Sequence, residues 1–204
     1  MPRSTSSVPG PDAGNTLLSA LTHAPPMKVI ILTLPEFVEG EARRIEAFLR
    51  QGIASSVHLR KPTATFSELE ALVRAIPADL HSRLVVHDHF DLATQYGLQG
   101  VHLNRRNPLP PAGWQGSVSR SCHSLAEVAE WKGRCTYVSL SPIFDSISKQ
   151  GYPSAFTPEV LGQARVEGII DHRVLALGGV TFRRLPLVEA MGFGGAMILG
   201  DAWR

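Results

Sequence analysis

The chain has 204 residues, of which 44% are hydrophobic and 19% charged, which is the composition of a folded globular domain and excludes a disordered chain. Twenty Lys and Arg residues against eighteen Asp and Glu leave a net charge of +2, too small to indicate a nucleic-acid or membrane-surface partner. Two cysteines without a CxxC pair, and apolar runs too short for a membrane span or signal sequence, favour a cytoplasmic protein with small-molecule partners.

Residues 1–26 are rich in Ser, Pro, Gly and Thr and contain few apolar side chains, so we expect a disordered N-terminal extension. The next segment, MKVIILT, is typical of a chain start, which makes Met27 a candidate initiator. A short docked helix around Leu17, Leu18 and Leu21 is the alternative. The folded domain is expected to span residues 27–204.

Beyond residue 26, short runs of Val, Ile and Leu alternate with stretches in which apolar residues recur every three or four positions. This pattern predicts β-strands separated by helices. The predicted strands cover residues 28–33, 55–60, 83–88, 100–103, 117–121, 136–141, 173–177 and 195–199.

Helix starts are indicated by residues that can satisfy free backbone N–H groups. Ser67 with Glu70, and Ser124 with Glu127, have the spacing of capping boxes. Thr157, directly before a proline, opens a further predicted helix.

Strands that alternate with helices predict a parallel sheet, and eight such units favour closure into a single compact α/β domain, a (β/α)8 TIM barrel. An open doubly wound sheet is the alternative, although GxGxxG and GxxxxGK motifs are absent. The segment RRNPLPPAGWQG after the fourth strand predicts a loop, and the chain reaches Arg204 without room for a full eighth helix. The N-terminal segment, or a partner chain in a homodimer, could cover that gap.

Five of the eight histidines lie at the predicted ends of strands two to five, where TIM barrels hold their active sites. In strand two, Val57 and Leu59 alternate with His58 and Arg60, so one face packs on helices and the other faces inward. The polar residues at these strand ends are His58, Arg60, Lys61, His87, Asp88, His89, His102, Asn107 and His123.

Two groups of residues could bind anions. Arg60 and Lys61 form a candidate anion clamp, although solvated charges at a strand end have the same pattern. Gly178, Gly179 and Gly200 follow strands seven and eight, where bare backbone N–H groups of TIM barrels can approach phosphate oxygens closely. A Gly-Gly pair also occurs in ordinary turns.

Asp88 is a candidate Mg2+ ligand, because a carboxylate beside a phosphate commonly holds this ion. His87 and His89 flank it and permit zinc, but no third or fourth ligand follows at zinc-like spacing. We therefore expect one of these histidines to be packed and hydrogen-bonded.

His123 is a candidate proton acceptor, because it precedes a capped helix whose N-terminus disfavours a positive charge on the imidazole. A plain hydrogen bond to the neighbouring loop is the alternative. Ser146, Ser148 and Lys149 follow strand six and suit either a phosphate-gripping lid or an ordinary turn.

From about residue 27 to 203 the chain resembles the thiamin phosphate synthase/TenI family of (β/α)8 barrels. The segments VHLRKP, VVHDHFDLA, GVHLNRRN, SCHSLAEV, YVSLSPIFDSISK, LALGGV and GGAMILGDAW, in this order, support the resemblance. It implies an enzyme of thiamin biosynthesis that binds a thiazole phosphate. The synthase joins hydroxymethylpyrimidine diphosphate to a thiazole phosphate and releases pyrophosphate, whereas TenI-type tautomerases move a proton on the thiazole carboxylate phosphate.

The resemblance also implies residue roles. Arg60 and Lys61 would contact the diphosphate, Asp88 would hold Mg2+, Ser146, Ser148 and Lys149 would grip the diphosphate, and Gly178, Gly179 and Gly200 would cradle the thiazole phosphate. Arg60, Lys149 and His123 would be the catalytic residues, with His58, His87 and Asn107 in the substrate-binding set.

Three residues depart from the synthase pattern, which has Gln for His58, Asn for His87 and a second metal-binding Asp for Asn107. His123 lies where TenI-type tautomerases have a catalytic histidine. These departures favour the tautomerase, which needs no cofactor, over the synthase, which uses Mg2+. A non-catalytic regulator that binds thiazole or thiamin phosphates is the third hypothesis.

Overall fold

The computed structural model describes residues 27–145 and 156–204. Within these ranges eight parallel strands form a closed barrel in chain order, with β8 paired to β1. The predicted TIM barrel is thus confirmed and the open sheet is wrong. The strands are β1 (Lys28–Leu32), β2 (Ser56–Leu59), β3 (Leu84–Val86), β4 (Gly100–Leu103), β5 (Ser117–Cys122), β6 (Tyr137–Leu140), β7 (Val174–Ala176) and β8 (Gly195–Ile198).

Helices cover the outside of the barrel, except between β4 and β5, where the predicted loop is present. Short 3-10 turns at Ala78–Arg83, Phe182–Arg184 and Gly200–Trp203 complete the described connections. The helices are α1 (Glu41–Arg50), α2 (Phe66–Ala75), α3 (Asp91–Gln95), α4 (Leu125–Trp131), α5 (Pro158–Val166) and α6 (Leu185–Ala190).

The start of α2 differs from the prediction. Thr65 caps this helix, since its Oγ1 accepts from Glu68 N at 3.3 Å while Glu68 Oε2 accepts from Thr65 N at 2.8 Å. Ser67 therefore lies inside the helix, and Glu70 instead accepts hydrogen bonds from α3 and its C-terminal end. Both pairs have capping-box spacing, but the earlier pair gives the longer helix.

The barrel interior has an apolar sector and a polar sector. Strands β1, β7 and β8, with Tyr137 from β6, supply the apolar sector, whereas β2 to β5 supply histidines and serines. The apolar sector consists of Ile30, Leu32, Tyr137, Leu175 and Met197. The buried polar groups on the other side include His58, His87, His102 and Ser119.

In the described chain a 3-10 turn, Gly200–Trp203, follows β8. Trp203 Nε1 donates to Leu32 O at 2.7 Å, and the indole packs edge-on against Phe48 of α1 at 5.6 Å between ring centroids. Arg44 of α1 lies 5.0 Å from the centre of the indole. The chain's own C-terminal turn therefore covers the barrel between β8 and α1.

None of the helices in the described ranges is long and apolar enough to cross a membrane. The cytoplasmic location and the homodimer stay predictions. The predicted N-terminal extension, residues 1–26, lies outside the described residues, as do Ser146, Ser148 and Lys149.

Candidate active site

Three histidines meet inside the barrel, near the C-terminal ends of β2, β3 and β4. His58 Nδ1 lies 2.9 Å from His87 Nε2, and His58 Nε2 lies 2.6 Å from the hydroxyl of Tyr137. The His87 ring stacks on that of His102, with 4.1 Å between centroids and 20° between planes. All three side chains are buried, with at most 4% exposure.

Burial keeps these imidazoles neutral. It lowers the pKa of His58 and His87 well below the ordinary value, and with the charges of Arg120 and Arg60 it lowers the pKa of His102 to about 3. Neutral, buried imidazoles are not cationic phosphate ligands. The predicted substrate contacts of His58 and His87 are therefore corrected: both side chains lie beneath the rim, bonded to each other.

Hydroxyl groups surround the third histidine. His102 Nδ1 lies 2.8 Å from Ser119 Oγ, and its Nε2 lies 2.8 Å from Ser121 Oγ. Ser139 pairs with Ser121 across β5 and β6, and its buried Oγ has no hydrogen-bond partner among the described residues. The sequence analysis gave Tyr137 and these serines no role, although alternation along β5 and β6 marks them as inward-facing.

Arg60 lies at the end of β2 with a fixed backbone and an unpaired guanidinium in the described structure, so the anion clamp stays a prediction for this residue. Thr33 Oγ1 accepts from Arg60 N at 2.9 Å, which fixes the backbone at the end of β2. The guanidinium has no hydrogen bond to any residue in the described ranges, and its charge contributes to the lowered pKa of His87 and His102. Arg60 therefore lies near the histidine cluster with its donors available for an anion.

Lys61 does not belong to this clamp, which corrects the prediction. Its Nζ donates to Glu41 Oε1 at 2.6 Å and to the carbonyls of Leu34 and Glu36 at 2.9 and 2.7 Å, with no exposed side-chain surface. Burial lowers the pKa of Lys61, and the pairing with Glu41 opposes this shift. As the residue after Arg60, Lys61 faces the opposite way. Its hydrogen bonds to Leu34 and Glu36 hold the loop after β1 against the end of β2.

Asp88 forms a two-pronged ion pair with Arg106, a residue that the sequence analysis did not identify. Arg106 Nε and Nη2 donate to the two carboxylate oxygens at 2.9 and 2.8 Å, and Asn107 Nδ2 donates to Oδ1 at 2.9 Å. The Arg106 side chain is 49% exposed, against 13% for Asp88. The Asp88 carboxylate is a hard donor that fits Mg2+, provided that Arg106 swings into solvent. The Asn107 amide oxygen would be a second hard donor once the amide turns over, because Nδ2 now faces the carboxylate.

His89 turns away from His87, so the adjacent pair forms no shared metal site. Its Nε2 lies 2.8 Å from Ala64 O, and its ring contacts Phe66 edge-on. The expectation of a packed, hydrogen-bonded histidine is confirmed for His89.

The glycines after β7 adopt left-handed backbone conformations, with φ of +91° at Gly178 and +63° at Gly179. An added Cβ at Gly178 would lie 2.8 Å from Pro142 Cα, and one at Gly179 would overlap Asp145 O. Packing against the loop after β6 thus requires glycine. The amides of Gly178, Gly179 and Gly200 donate to no described residue, and an added Cβ at Gly200 would meet open space.

His123 is exposed at the end of β5, directly before α4. Its Nδ1 lies 3.2 Å from Ser141 Oγ and 3.3 Å from Ser141 O, while its backbone N donates to Glu127 Oε2 at 2.6 Å. Ser124 caps α4 as predicted, since its Oγ accepts from Glu127 N at 3.2 Å. The imidazole is therefore positioned at the rim, where a ligand could reach it.

Parallel strands bring these groups to one rim. Arg60 and Asp88 follow β2 and β3, His123 follows β5, and the glycine amides follow β7 and β8. Two sectors of the rim can therefore bind anions, one beside Arg60 and one at the glycines.

Comparison with known proteins agrees with this architecture. A family model described as thiamine monophosphate synthase matches residues 30–200. The thiamine-phosphate synthase of Escherichia coli O9:H4 is 32% identical over 167 residues, covering 76% of this chain and 77% of that protein. The thiamine-phosphate synthase of Salmonella typhimurium is 29% identical over the same length and coverage.

Solved structures show the same likeness. The thiamine phosphate pyrophosphorylase of Bacteroides thetaiotaomicron superposes with a TM-score of 0.78 at 41% identity, covering 87% of this chain and 85% of that one. The Pyrococcus furiosus enzyme of the same name, with a TM-score of 0.67 at 20% identity and 85% coverage of both chains, supports the fold alone. The chain therefore belongs to the thiamine monophosphate synthase family and is an enzyme of that family.

Proposed function

We propose that this enzyme is a thiamin phosphate synthase, which joins hydroxymethylpyrimidine diphosphate to a thiazole phosphate and releases pyrophosphate. The observation that supports this most is the pair of anion-binding sectors, Arg60 on one side and the amides of Gly178, Gly179 and Gly200 on the other. Two such sectors suit two phosphorylated substrates, with the diphosphate in one and the thiazole phosphate in the other. The name shared by the curated relatives supports the same choice.

In this proposal, Arg60 neutralises the bound diphosphate and the charge that develops as pyrophosphate leaves. The glycine amides hold the thiazole phosphate, which orients the thiazole nitrogen toward the pyrimidine methylene carbon. A C–N bond forms at that carbon as its bond to the diphosphate oxygen breaks. Lys61 takes no part, because Glu41 holds its ammonium group.

Asp88 would hold Mg2+ with Arg106 displaced into solvent, and Asn107 would join it with its amide turned over so that the oxygen replaces Nδ2. A bound Mg2+ supplies charge neutralisation for the diphosphate. Without it, Arg106 holds the Asp88 carboxylate in place at the rim. Ser146, Ser148 and Lys149 remain proposed contacts of the diphosphate.

The tautomerase that the sequence favoured depends on His123, whose exposed imidazole beside Ser141 could move a proton on a bound thiazole. The comparisons back the synthase better. This second candidate is wrong if the wild type moves no proton on the thiazole carboxylate phosphate. It is also wrong if His123→Ala keeps the full rate of that reaction. Ligand-induced stabilisation without turnover would instead indicate the binding-only regulator.

A variant pair tests the proposed role of the Arg60 sector. Purified protein receives the pyrimidine diphosphate, the thiazole carboxylate phosphate and Mg2+, and thiamin phosphate is measured by fluorescence after oxidation. We expect Arg60→Gln to lower kcat by about 100-fold or more, the usual cost of removing a preorganised charge-stabilising group. Arg43→Gln, an exposed change on α1, is the control and should match the wild type. An unchanged rate in Arg60→Gln would contradict the assignment.

A further inference from the structure

The histidine cluster inside the barrel has the composition of a transition-metal site. One ligand atom from each of His58, His87 and His102 lies within 4.8 Å of the other two. In a tetrahedral Zn2+ site, with bonds of about 2.0–2.1 Å, ligand nitrogens lie about 3.3 Å apart. The 2.9 Å between His58 Nδ1 and His87 Nε2 is a hydrogen bond, so its proton must move to the other nitrogen of the donor ring before both atoms can bind one ion. The His102 ring, which stacks on His87, must also tilt to aim a nitrogen at that ion.

We propose that His58, His87 and His102 bind one Zn2+-class ion in the barrel interior. The three imidazoles are already in the neutral form that metal ions bind. Their side chains come from neighbouring strands, so the closed sheet holds them together before any ion arrives. Nitrogen donors select Zn2+, Co2+, Ni2+ or Cu2+ over Mg2+, so this site is distinct from the oxygen donors at Asp88.

The surrounding hydroxyls match the second layer of partners that metal-binding histidines need. His58 Nε2 meets Tyr137 Oη at 2.6 Å, which fixes the ring so that Nδ1 faces His87; with the ring proton on Nε2, donated to Tyr137, the Nδ1 lone pair would be free for a metal ion. Ser119 and Ser121 bond the two nitrogens of His102, and one of these contacts would be exchanged for the metal. Each ring thus has a defined orientation.

An independent observation also indicates a missing ligand here. Ser139 Oγ is fully buried and has no hydrogen-bond partner among the described residues. Ser139 faces the interior, because Tyr137, two residues earlier on β6, reaches His58. A solvent ligand on the metal would complete the four-coordinate shell and give this hydroxyl a partner.

Two guanidinium groups lie close enough to act on the cluster. The charges of Arg120 and Arg60 lower the pKa of His102, and no carboxylate belongs to the cluster. These charges also oppose the positive charge of a bound ion, which weakens its binding. The proposed site is three imidazoles with one solvent oxygen as the fourth ligand, and it does not depend on the proposed coupling reaction.

Calorimetry tests the proposal on untagged, metal-free protein titrated with Zn2+ in the presence of a competing chelator. We expect one Zn2+ per chain. His58→Gln and His102→Gln each remove a ligand and should lower the affinity by about 100-fold or more, because loss of a group that only hydrogen-bonds a ligand already costs about 10- to 100-fold. Tyr137→Phe should fall within that smaller range. His81→Gln is the control, because His81 is also buried but bonds Val73 O and Ile76 O outside the cluster.

X-ray absorption of the wild type loaded with one equivalent of Zn2+ gives a readout that no folding defect can affect. Three imidazole nitrogens and one oxygen would support the proposal, and sulfur or oxygen-only coordination would overturn it. The proposal is also wrong if the wild type binds no Zn2+, or if His58→Gln, folded by circular dichroism, binds it as tightly as the wild type.

Discussion

Lys61 and Glu41 form a fully buried ion pair at 2.6 Å, with the second Glu41 oxygen left without a partner in the described structure. Their separation by 20 residues, on a helix and at a strand end, makes the pair invisible to motif analysis. Arg106 was missed for the same reason, since it pairs with Asp88 from 18 residues away. Sequence alternation correctly predicts that His58 and Arg60 share a face of β2. It cannot show that the adjacent Lys61 is paired with Glu41, so the sequence makes Lys61 a second anion ligand.

Removing one member of this pair should be costly. Lys61→Met should lower the free energy of unfolding by about 3–5 kcal/mol, because it leaves the Glu41 carboxylate buried and uncompensated. Urea unfolding measures the change. The double variant Lys61→Met/Glu41→Leu should recover much of the loss, and a double variant less stable than the single one would contradict this account.

The buried histidines predict a dependence of stability on pH. Their folded pKa values lie below the unfolded value, so between these values the unfolded chain binds more protons and stability falls as pH falls. The contribution is fully present above about pH 6.5 and is lost at up to about 1.4 kcal/mol per pH unit for each histidine. Urea unfolding of metal-free protein between pH 7.5 and 5 should show this slope in the free energy of unfolding. In His102→Gln the slope should be smaller by the contribution of one histidine. A flat profile would contradict the neutral cluster.

At the scale of elements, periodicity predicted all eight strands and the missing helix after β4, because alternation and apolar spacing are local properties. It failed where two local signals compete, as at Thr65 and Ser67. It also could not say which strand ends face each other, since the His58, His87 and His102 cluster depends on barrel closure. The sequence marks Gly178 and Gly179 as a phosphate-binding candidate. It cannot show that glycine is required there because the loop after β6 packs against both residues.

Packing between these two loops can be tested with a glycine pair. Gly179→Ala should destabilise the protein by more than about 1 kcal/mol and raise KM for the thiazole phosphate, because its Cβ would overlap Asp145 O at positive φ. Gly168→Ala is the matched control, with φ of +70° but nothing within 4 Å of the added Cβ. Equal losses of stability in the two variants would rule out the loop contact as the cause.

At the scale of the whole molecule, all eight strand pairings of the closed barrel lie within the described residues. β8 pairs with β1, and Trp203 packs against Phe48 and Leu32 at the end of the sequence. We therefore predict that a chain starting at Met27 keeps the melting temperature and coupling rate of the full sequence. Differential scanning calorimetry of both forms checks this, and a lower melting temperature of the shorter chain would show that residues 1–26 contribute contacts.

The most direct test of the account is the product balance of the wild-type enzyme. With hydroxymethylpyrimidine diphosphate, thiazole carboxylate phosphate and Mg2+, we expect thiamin phosphate, pyrophosphate and the carbon dioxide from the thiazole carboxylate to form in equal amounts over many turnovers. None of them should form when one substrate is omitted. Interconversion of thiazole tautomers without pyrophosphate release, or ligand binding without any product, would contradict the two-substrate assignment of the barrel rim.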